Sequence, residues 1–582
     1  MAGGRQHRGG KMRTMPMSSS LLLLVSPARV FSRALWRDRL GIEGNRPEVA
    51  PSLALLLAIC ILLSAGCERT VMVPGPVTDM DVKLRVATDP DALEGAPEPI
   101  ASFTLELRTS NPEKVRLRHV PFSSNDHAVS DDEAFEDLDE ATEATLTVWA
   151  MTAISGERYS VARSGPFLLE PEEPVSLSLL LAVADAWTRL DLSEARANGA
   201  ASALPDGRVL LVGGLDDAEL ESPVIFDPRK GELVVLEEGP RAVHPTLVSM
   251  SGGRVLVAGG LDLEGNVLSE AWLFDGTEFS RLPVDVHAHF AGMGVYLSSH
   301  NDVVLIAGGY PVAPGDDASA SATDEVSVLT FDATGDVEVE GATLPAPRAG
   351  MSVTPLRDVA EEAVLLAGGR ERLDGPMEAS VFVARLDPGL EILPASHGAS
   401  GTVTTLPEDW IEHGAAAIDN GHVLVLGVTS NGGASSGLVF SPLVSDPGAF
   451  VPVSISGASM EWNGEPLLAS LPDGSVLVVG PAGLPTRLSS VRVDVDLEER
   501  DGMPERALLR VNSLGPLHDR QRVGGELVAM AEGSVMLLGQ GVRPGSGEAD
   551  NGGGEEYQPR AVEIFVPCRD ELHYGACLES GP

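Results

Sequence analysis

The chain has 582 residues, a formal net charge of −44 and 4% aromatic residues, while glycine (63) and proline (42) are plentiful. This composition favours many short strands joined by turns. Nine Lys and Arg against three Asp and Glu give residues 1–66 a net charge of +6, so the rest of the chain carries −50. So acidic a body excludes nucleic-acid backbones and anionic membrane surfaces as expected partners.

Residues 1–66 are predicted to be a leader. Pro51 to Gly66 is an uncharged apolar run that has the length of a signal peptide and is short for a membrane span. It leads into LSAGC, ending at Cys67, which resembles a bacterial lipobox. The resemblance implies that Cys67 carries a lipid. Ordinary secretion and an uncleaved anchor are the alternatives.

The lipobox resemblance implies a place in the bacterial cell envelope, with the lipid as the chain's one contact with a membrane. Glu68 follows the cysteine, and the absence of aspartate there indicates the outer membrane, by resemblance to enterobacterial sorting rules. We also expect translation to start downstream of Met1, because residues 29–46 already supply the positive charge that a signal peptide needs.

Residues 67–80 read as a proline-containing tether and residues 81–185 as a small domain. Six strand-like runs in this domain predict an antiparallel β-sandwich of the immunoglobulin-like type. In the fourth run, Thr145 and Thr147 share a face with Trp149, a large ring that we expect to pack on the next domain. The six runs are Val82–Ala87, Ser102–Arg108, Val115–Val120, Ala144–Met151, Tyr159–Ser164 and Val175–Ala184.

Most of the remaining chain repeats one unit, LPDGRVLLVGG at residues 204–214, which returns as LPDGSVLVVG at residues 471–480. A glycine-containing turn leads into a run of Val, Leu and Ile that is apolar on both faces, as in a strand buried between two sheets. A repeat period near fifty residues is typical of radial or stacked architectures. Seven copies are present, and their first glycines are Gly213, Gly259, Gly308, Gly368, Gly427, Gly480 and Gly539.

Each copy can be laid out as four strands, which in the second copy are HPTLVSM, RVLVAGG, SEAWLFD and TEFSRLP. The order of Pro-Arg, inner strand, turn, apolar run, Gly-Gly, Phe-Asp and outer strand resembles the Kelch repeat of the galactose-oxidase-like superfamily. ARANGASALPDGRVLLVGG and PRAVHPTLVSMSGGRVLVAGG show it best. The resemblance implies that residues 186–567 form a seven-bladed Kelch-like β-propeller. The predicted fold class is therefore all-β, with the propeller preceded by the small antiparallel sandwich.

Closure of the propeller can be predicted separately. The seventh copy supplies three strands and no fourth, whereas WTRLDL, residues 187–192, stands unmatched before the first copy. We expect WTRLDL to complete the seventh sheet, because pairing the two ends removes open sheet edges.

In most copies, candidate ligand-binding residues lie 14 to 21 positions before the first glycine of the copy. Blade symmetry should bring them to one end of the central channel as a ring of cations. One interpretation is a site for an anion, sugar or carboxylate. The other is that these side chains cap turns and hydrogen-bond neighbouring blades. The residues are Arg196, Arg241, His244, His287, His289, Arg348, His413, Arg520 and Arg522.

No metal and no cofactor are predicted. His287 and His289 form a His-x-His pair, which is half of a metal site, but no third ligand is identifiable from the sequence. The C-terminal tail, residues 568–582, contains Cys568 and Cys577, nine positions apart. In an oxidising compartment we expect a disulfide between them, since a metal site there would need further ligands.

No catalytic motif is found. Copper oxidases resembling galactose oxidase need a cysteine crosslinked to a tyrosine, and no cysteine lies between Cys67 and Cys568. We therefore expect a non-catalytic, monomeric lipoprotein that binds or scaffolds a protein or glycan partner. Variable loops between blades, such as Pro311–Asp324 and Arg543–Gln558, are the expected recognition elements. The alternatives are a carbohydrate-active enzyme that uses the His and Arg ring, and a structural envelope or adhesion protein.

Overall fold

The structure is a computed structural model. Everything described below belongs to one compact unit, residues 61–582. The leader, the predicted lipid site at Cys67 and the tail beyond Cys568 lie outside the described residues. No described helix is long and apolar enough to cross a membrane. The structure describes residues 68–568 with internal gaps, of which the larger are 74–79, 87–99, 122–141, 191–196, 314–319, 396–404, 430–435, 518–524 and 540–561.

Eight strands form the N-terminal domain. They are β1 (Glu68–Val73), β2 (Met80–Val86), β3 (Ile100–Ser110), β4 (Glu113–Pro121), β5 (Thr142–Thr152), β6 (Arg158–Arg163), β7 (Phe167–Leu169) and β8 (Val175–Val183). They join in the order β1-β2-β8-β6-β5-β3-β4, and β7 pairs with β5. Each of the six predicted runs falls on one of these strands. Leu105 of β3, Leu146 of β5 and Leu179 of β8 share one buried cluster, so β8 packs across the apolar face of β3 and β5.

Two features of this domain differ from the prediction. Glu68–Val73, assigned above to the tether, forms β1 antiparallel to β2, because the open edge of β2 offers unpaired backbone groups to an extended neighbour. β2 pairs with β8 in parallel, so the domain is not antiparallel throughout. The two strands are far apart in the chain, which gives the connection enough length for the crossover that a parallel pair requires.

Strand β9 (Trp187–Leu190) and seven sheets of four or five strands follow. Blade 1 consists of β10 (Ala197–Ala203), β11 (Val209–Asp216), β12 (Glu219–Leu220), β13 (Val224–Asp227) and β14 (Glu232–Val235). Blade 2 consists of β15 (Thr246–Ser249), β16 (Val255–Ala258), β17 (Glu270–Phe274) and β18 (Phe279–Asp285). Blade 3 consists of β19 (Met293–Leu297), β20 (Asp302–Ala307), β21 (Glu325–Phe331) and β22 (Val337–Thr343), and blade 4 of β23 (Ser352–Leu356), β24 (Ala363–Ala367), β25 (Val381–Arg385) and β26 (Glu391–Pro394).

The remaining blades are built in the same way, with two single 3₁₀ turns in the described chain, Ser251–Gly253 in blade 2 and Asp419–Gly421 in blade 5. Blade 5 is β27 (Trp410–Ala417), β28 (Val423–Thr429), β29 (Ser436–Ser441) and β30 (Ala449–Val451); blade 6 is β31 (Val453–Gly457), β32 (Leu467–Ser470), β33 (Val476–Ala482), β34 (Arg487–Arg500) and β35 (Met503–Ser513); blade 7 is β36 (Gly525–Ala529), β37 (Val535–Gly539) and β38 (Val562–Phe565), joined by β9.

The seven sheets form a closed ring. The inner strand of each blade contacts the inner strand of the next, and β36 of blade 7 contacts β10 of blade 1. The apolar run of each repeat becomes the second strand, where Leu210, Val304 and Leu424 are fully buried between neighbouring sheets. The predicted all-β fold with a propeller is confirmed.

The closing strand lies where it was predicted. β9 pairs antiparallel with β38, with Trp187 opposite Phe565 and Leu190 opposite Val562. The rings of Trp187 and Phe565 lie 5.5 Å apart, and Trp187 Nε1 donates a hydrogen bond of 2.9 Å to Ser490 Oγ of blade 6. The N-terminal strand therefore seals blade 7 and also ties it to its neighbour.

Blades 5 and 6 are joined by a strand crossing that the repeat pattern did not predict. β30 is the outer strand of blade 5, and after Pro452 the chain continues as β31, which pairs in parallel with β35 of blade 6. β34 and β35 form a long hairpin whose pairs run from Val491–Ser513 to Arg500–Met503. This hairpin gives blade 6 an extra outer edge, and β31 covers it.

The sandwich and the propeller share a hydrophobic core. Trp149 is fully buried in one cluster with Val209 of blade 1 and Ile564 of blade 7, so its ring packs on the propeller as predicted. The Cζ atom of Arg158 lies 4.4 Å from the centroid of the Trp149 ring, a cation–π contact that covers the other side of the indole.

The end of the described chain adds polar contacts to this joint. Cys568 is disulfide-bonded, and its predicted partner Cys577 lies outside the described residues. The backbone N–H of Cys568 donates to Asp185 Oδ1 at 2.9 Å, and its carbonyl oxygen accepts from Arg163 Nη2 at 3.2 Å. These bonds connect the C-terminal segment to the sandwich and to the residues that lead into β9.

The shared core can be tested with Trp149→Ala. Loss of this buried ring should destabilise the protein by about 3–5 kcal/mol and let the sandwich unfold before the propeller. Scanning calorimetry should then resolve two transitions in the variant and one in the wild type. Ile154→Ala is the control, because Ile154 is 81% exposed in the turn after β5 and should leave the single transition in place. A wild-type thermogram for Trp149→Ala would contradict the shared core.

Candidate functional site

The central channel has two different ends. We call the end at which the second strands finish in Gly-Gly pairs the glycine face, and the end at which tight turns join inner and second strands the turn face. Neighbouring blades touch at both. On the glycine face, a Cβ on Gly259 would lie 2.5 Å from the carbonyl oxygen of His289 in the next blade. On the turn face, a Cβ on Gly253 would lie 3.2 Å from Pro205 in the previous blade.

Arg348, one of the predicted binding residues, is fully buried at the start of blade 4. Its Nη1 donates to the carbonyl oxygen of Gly368 at 3.0 Å and its Nη2 to Ser380 Oγ at 2.9 Å. Its Cζ lies 4.8 Å from the centroid of the Phe382 ring, while its backbone carbonyl accepts from Gly309 of blade 3. Burial lowers the pKa of the guanidinium. Arg348 therefore organises a blade junction and is closed to solvent.

His287 and His289 lie together, with ring centroids 4.7 Å apart. The backbone N–H of His287 donates to Ser327 Oγ, whose hydroxyl donates to Nδ1 at 2.8 Å, and the Nε2–H donates to the Gly308 carbonyl at 3.0 Å. In His289, which is fully buried, Nδ1–H donates to the His287 carbonyl and Nε2 lies 3.1 Å from Thr246 Oγ1. All four ring nitrogens are engaged by protein groups.

His413 has the same kind of position between blades 4 and 5. Its Nε2–H donates to the carbonyl oxygen of Ala367 at 3.0 Å, beside Ser352 Oγ at 3.1 Å, and the residue is 6% exposed. The ring fills the space next to Gly368, where a Cβ would lie 2.4 Å from His413 Cε1. The imidazole is thus a packing element of the joint between the two blades.

The described members of the predicted set do not form a ring of solvent-facing cations. His289, Arg348 and His413 are buried at blade junctions, where the two imidazoles lie beside Gly259 and Gly368 and the Arg348 backbone carbonyl lies beside Gly308. Arg241 and His244 are exposed on the glycine face, and for these two a binding role stays a prediction. Arg196, Arg520 and Arg522 lie outside the described residues.

The space that could admit a ligand lies at the other end of the channel. A cavity of about 1050 Å³ opens at the turn face, between the sandwich and the inner strands and turns of blades 4 to 7. Pro355, Leu468 and Leu527 give it an aliphatic wall inside the channel, and Thr145 and Thr147 of β5 line it from the sandwich. Both domains are therefore needed to build it.

Two of the charged side chains that line the cavity form hydrogen bonds with neighbouring side chains. Arg108 Nε donates to Glu106 Oε1 at 2.5 Å, and Ser534 Oγ donates to Glu532 Oε1 at 2.7 Å. Burial raises the pKa of the Glu532 carboxyl, against the opposing effects of this hydrogen bond and of the Arg229 charge. The cavity is consequently better suited to a neutral polar ligand than to an ion.

This cavity is not predicted from the sequence, although one feature of β5 points to it. Thr145 and Thr147 share a strand face with Trp149, and Trp149 was expected to pack on the propeller. A strand face that contacts a second domain at one end also presents its neighbouring side chains to that domain. The two threonines could therefore have been placed at the joint before the structure was known.

Within the described residues, no group of three or more His, Cys, Asp or Glu side chains is arranged to hold a metal ion. The described lining of the cavity contains Asp419 and Glu532 but neither His nor Cys. The described residues of the cavity wall offer hydrogen-bonding groups and aliphatic surface, which suit the binding of a ligand.

No protein-family profile matches the chain, and no curated protein matches it. Among solved structures, the chain is similar to a fungal alcohol oxidase of the AA5 family, in complex with copper. The sequence identity is 11% and the TM-score is 0.32, over 66% of this chain and 92% of that chain. A similarity of this extent carries no information about activity.

The blade junctions make Gly308 a sensitive position. Gly308 has φ of +64°, and a Cβ there would lie 2.1 Å from the carbonyl oxygen of Arg348. Gly308→Ala should destabilise the protein by roughly 2–3 kcal/mol, measured by urea unfolding. Gly341→Ala is the control, because Gly341 lies exposed on β22 with no atom within 4 Å of the added methyl. Equal stability of the two variants would show that blades 3 and 4 can separate at this point.

Buried imidazoles predict a loss of stability in acid. Burial lowers the pKa of His413 to about 4, with a smaller contribution from the Arg370 charge, and burial with the His287 charge lowers that of His289 to about 4. The unfolded chain binds protons at these sites first, so stability falls as the pH drops from about 6.5 to about 4. Burial raises the pKa of Glu465 to about 7 and that of Glu526 to about 8, which acts in the opposite direction.

A comparison of variants separates these effects. Between about pH 7 and about pH 4.5, the wild type should lose roughly 2–3 kcal/mol more unfolding free energy than His413→Gln, which has no proton to gain at this position. Urea unfolding at the two pH values measures the difference. The matched control is His119→Gln, on the exposed side of β4, which should keep the wild-type difference. The same acid sensitivity in His413→Gln would refute the linkage.

Proposed function

We propose that the chain is a non-catalytic, extracytoplasmic glycan-binding lipoprotein. In this proposal a seven-bladed Kelch-type propeller and its sandwich are tethered to the bacterial envelope, at the outer membrane, through a lipid on Cys67. The lipobox-like LSAGC and the repeats support the tether and the Kelch assignment. The single observation that carries the binding role is the cavity at the turn face, which both domains line.

The chemistry of the cavity favours a neutral polyhydroxyl ligand. The hydroxyls of Thr145 and Thr147 in the wall can both donate and accept hydrogen bonds. The Ser470 hydroxyl donates to the Ala417 carbonyl and can accept a further hydrogen bond. Pro355 and Leu468 offer aliphatic surface to the C–H faces of a sugar ring. The cavity volume suffices for a short oligosaccharide, since ligand pockets of proteins span about 300–1,000 Å³.

The buried His and Arg residues of the predicted set do not favour the carbohydrate-active enzyme. That alternative placed its chemistry on a ring of channel-mouth imidazoles and guanidiniums. His289 and Arg348 are fully buried, and their polar atoms are directed at carbonyl and hydroxyl groups of the blades. A general acid or base has to reach a substrate proton within hydrogen-bond distance, which these positions do not allow without a rearrangement of the blades.

A thermal-shift screen of the full-length protein against neutral mono- and oligosaccharides tests the proposal. A sugar at about 100 times its Kd should raise the Tm by about 2–4 °C, because it binds the folded state alone. Ala529→Trp should abolish this shift, since Ala529 is an exposed residue of β36 that lines the cavity and an indole there would occupy the ligand volume.

Ala153→Trp is the matched control, because Ala153 is exposed in the turn after β5 and away from the cavity lining. It should keep the sugar-induced shift. A shift that survives in Ala529→Trp would move the binding site elsewhere. No shift with any sugar would refute the glycan role and favour the structural envelope protein.

A further inference from the structure

Large apolar side chains are exposed at one end of the propeller, in consecutive blades. Leu263 and Val312 follow the Gly-Gly pairs of blades 2 and 3 by three residues and are 56% and 66% exposed. Leu373, after the pair of blade 4, and Ile411, at the start of β27 in blade 5, are each 37% exposed. We call these four side chains the apolar patch. They all belong to the glycine face, whereas the proposed glycan cavity lies at the turn face.

The loops that carry the patch are bonded to each other. The backbone N–H of Leu373 donates to the carbonyl of Ala320 in blade 3 at 3.1 Å, and that of Ala322 donates to Glu371 of blade 4 at 2.7 Å. Arg370 Nη2 donates to the carbonyl of Ile411 in blade 5 at 2.5 Å. Blades 3, 4 and 5 therefore present this part of their surface as one connected unit, which reduces the entropy lost on binding.

A second layer of contacts supports the loops from below. The rings of Phe290 and Tyr310 lie 5.2 Å apart, and both are buried in a cluster with Ala320 and Ala349. The backbones of Phe290 and Tyr310 also form an antiparallel bridge. With its inner side packed, the outer side of these loops still exposes Val312 and its neighbours to solvent.

The charges around the patch are predominantly acidic. Arg370 pairs with Glu412 at 2.6 Å and Arg372 with Asp374 at 3.5 Å. Exposed carboxylates remain that form no ion pair within the described part of the chain, and they include Glu264 and Glu371. Unpaired carboxylates beside an exposed apolar surface favour a partner that carries positive charge.

We propose that the glycine face of blades 2 to 5 docks a cationic amphipathic segment of another protein. Apolar residues of the segment would cover Leu263, Val312, Leu373 and Ile411, and its Lys or Arg side chains would meet the surrounding carboxylates. An exposed apolar patch with a polar rim is the arrangement of a protein–protein interaction site. Charge complementarity requires that the partner segment be positively charged, because the carboxylates around the patch would repel a segment with acidic residues.

The probe for this proposal is a fluorescein-labelled amphipathic peptide of Leu and Lys, measured by anisotropy against the full-length protein. It should bind the wild type, and added salt should weaken the binding. The double variant Val312→Ser/Leu373→Ser should bind at least about tenfold more weakly, because both side chains lie at the centre of the docking surface. Both are exposed, and thermal melts check that the variant stays folded.

Val234→Ser/Val235→Ser is the matched control. These side chains are 54% and 55% exposed on β14, the outer strand of blade 1, and their loss should leave peptide affinity unchanged. A Leu and Glu peptide of the same pattern should not bind. The proposal is overturned by equal affinity in the wild type and Val312→Ser/Leu373→Ser, by equal binding of the acidic peptide, or by absence of binding of the Leu and Lys peptide. None of these results depends on the glycan cavity.

Discussion

The close approach of backbone to backbone at each blade junction is the constraint on which the propeller depends. At Gly308 and Gly368 the chain takes a left-handed conformation with no room for a side chain. The next blade fills the space beside these points with its own groups, and it places Arg348 and His413 there, each donating to a backbone carbonyl. Two of the polar side chains that were candidates for ligand binding are thereby buried at the junctions between blades.

Burial of apolar surface also explains the position of the sandwich. Each sheet of the closed ring packs against a neighbouring sheet on both faces, and the sandwich adds Trp149 to the core beneath blades 1 and 7. Its polar face then lies over the turn end of the channel, where Thr145 and Thr147 become cavity wall. One end of the channel is thus partly roofed by a second domain, while the other end exposes apolar loops. The two ends differ in chemistry although the blades repeat.

Much of this fold could be predicted from the sequence, because repeats encode strands and turns locally. The runs of Val, Leu and Ile located the buried strands, and the unmatched strand at Trp187 revealed how blade 7 closes. Strand pairings outside the repeat pattern were not predicted. They are the pairing of β1 with the edge of β2, the parallel pairing of β2 with β8, and the pairing of β31 with blade 6. The candidate site was not predicted for the same reason, since its walls come from seven separate parts of the chain. Spacing alone could not show whether Arg348 faced the channel or a neighbouring sheet.

The pairing of β9 with β38 also sets an order of events during synthesis. β9 leaves the ribosome before any blade exists, yet its partner Phe565 is made near the end of the chain. Six blades can form while blade 7 is incomplete, so the ring stays open until β38 has been made. A chain that stops early presents the unpaired edge of blade 7 and the free strand β9, two surfaces that quality-control proteases and chaperones can recognise.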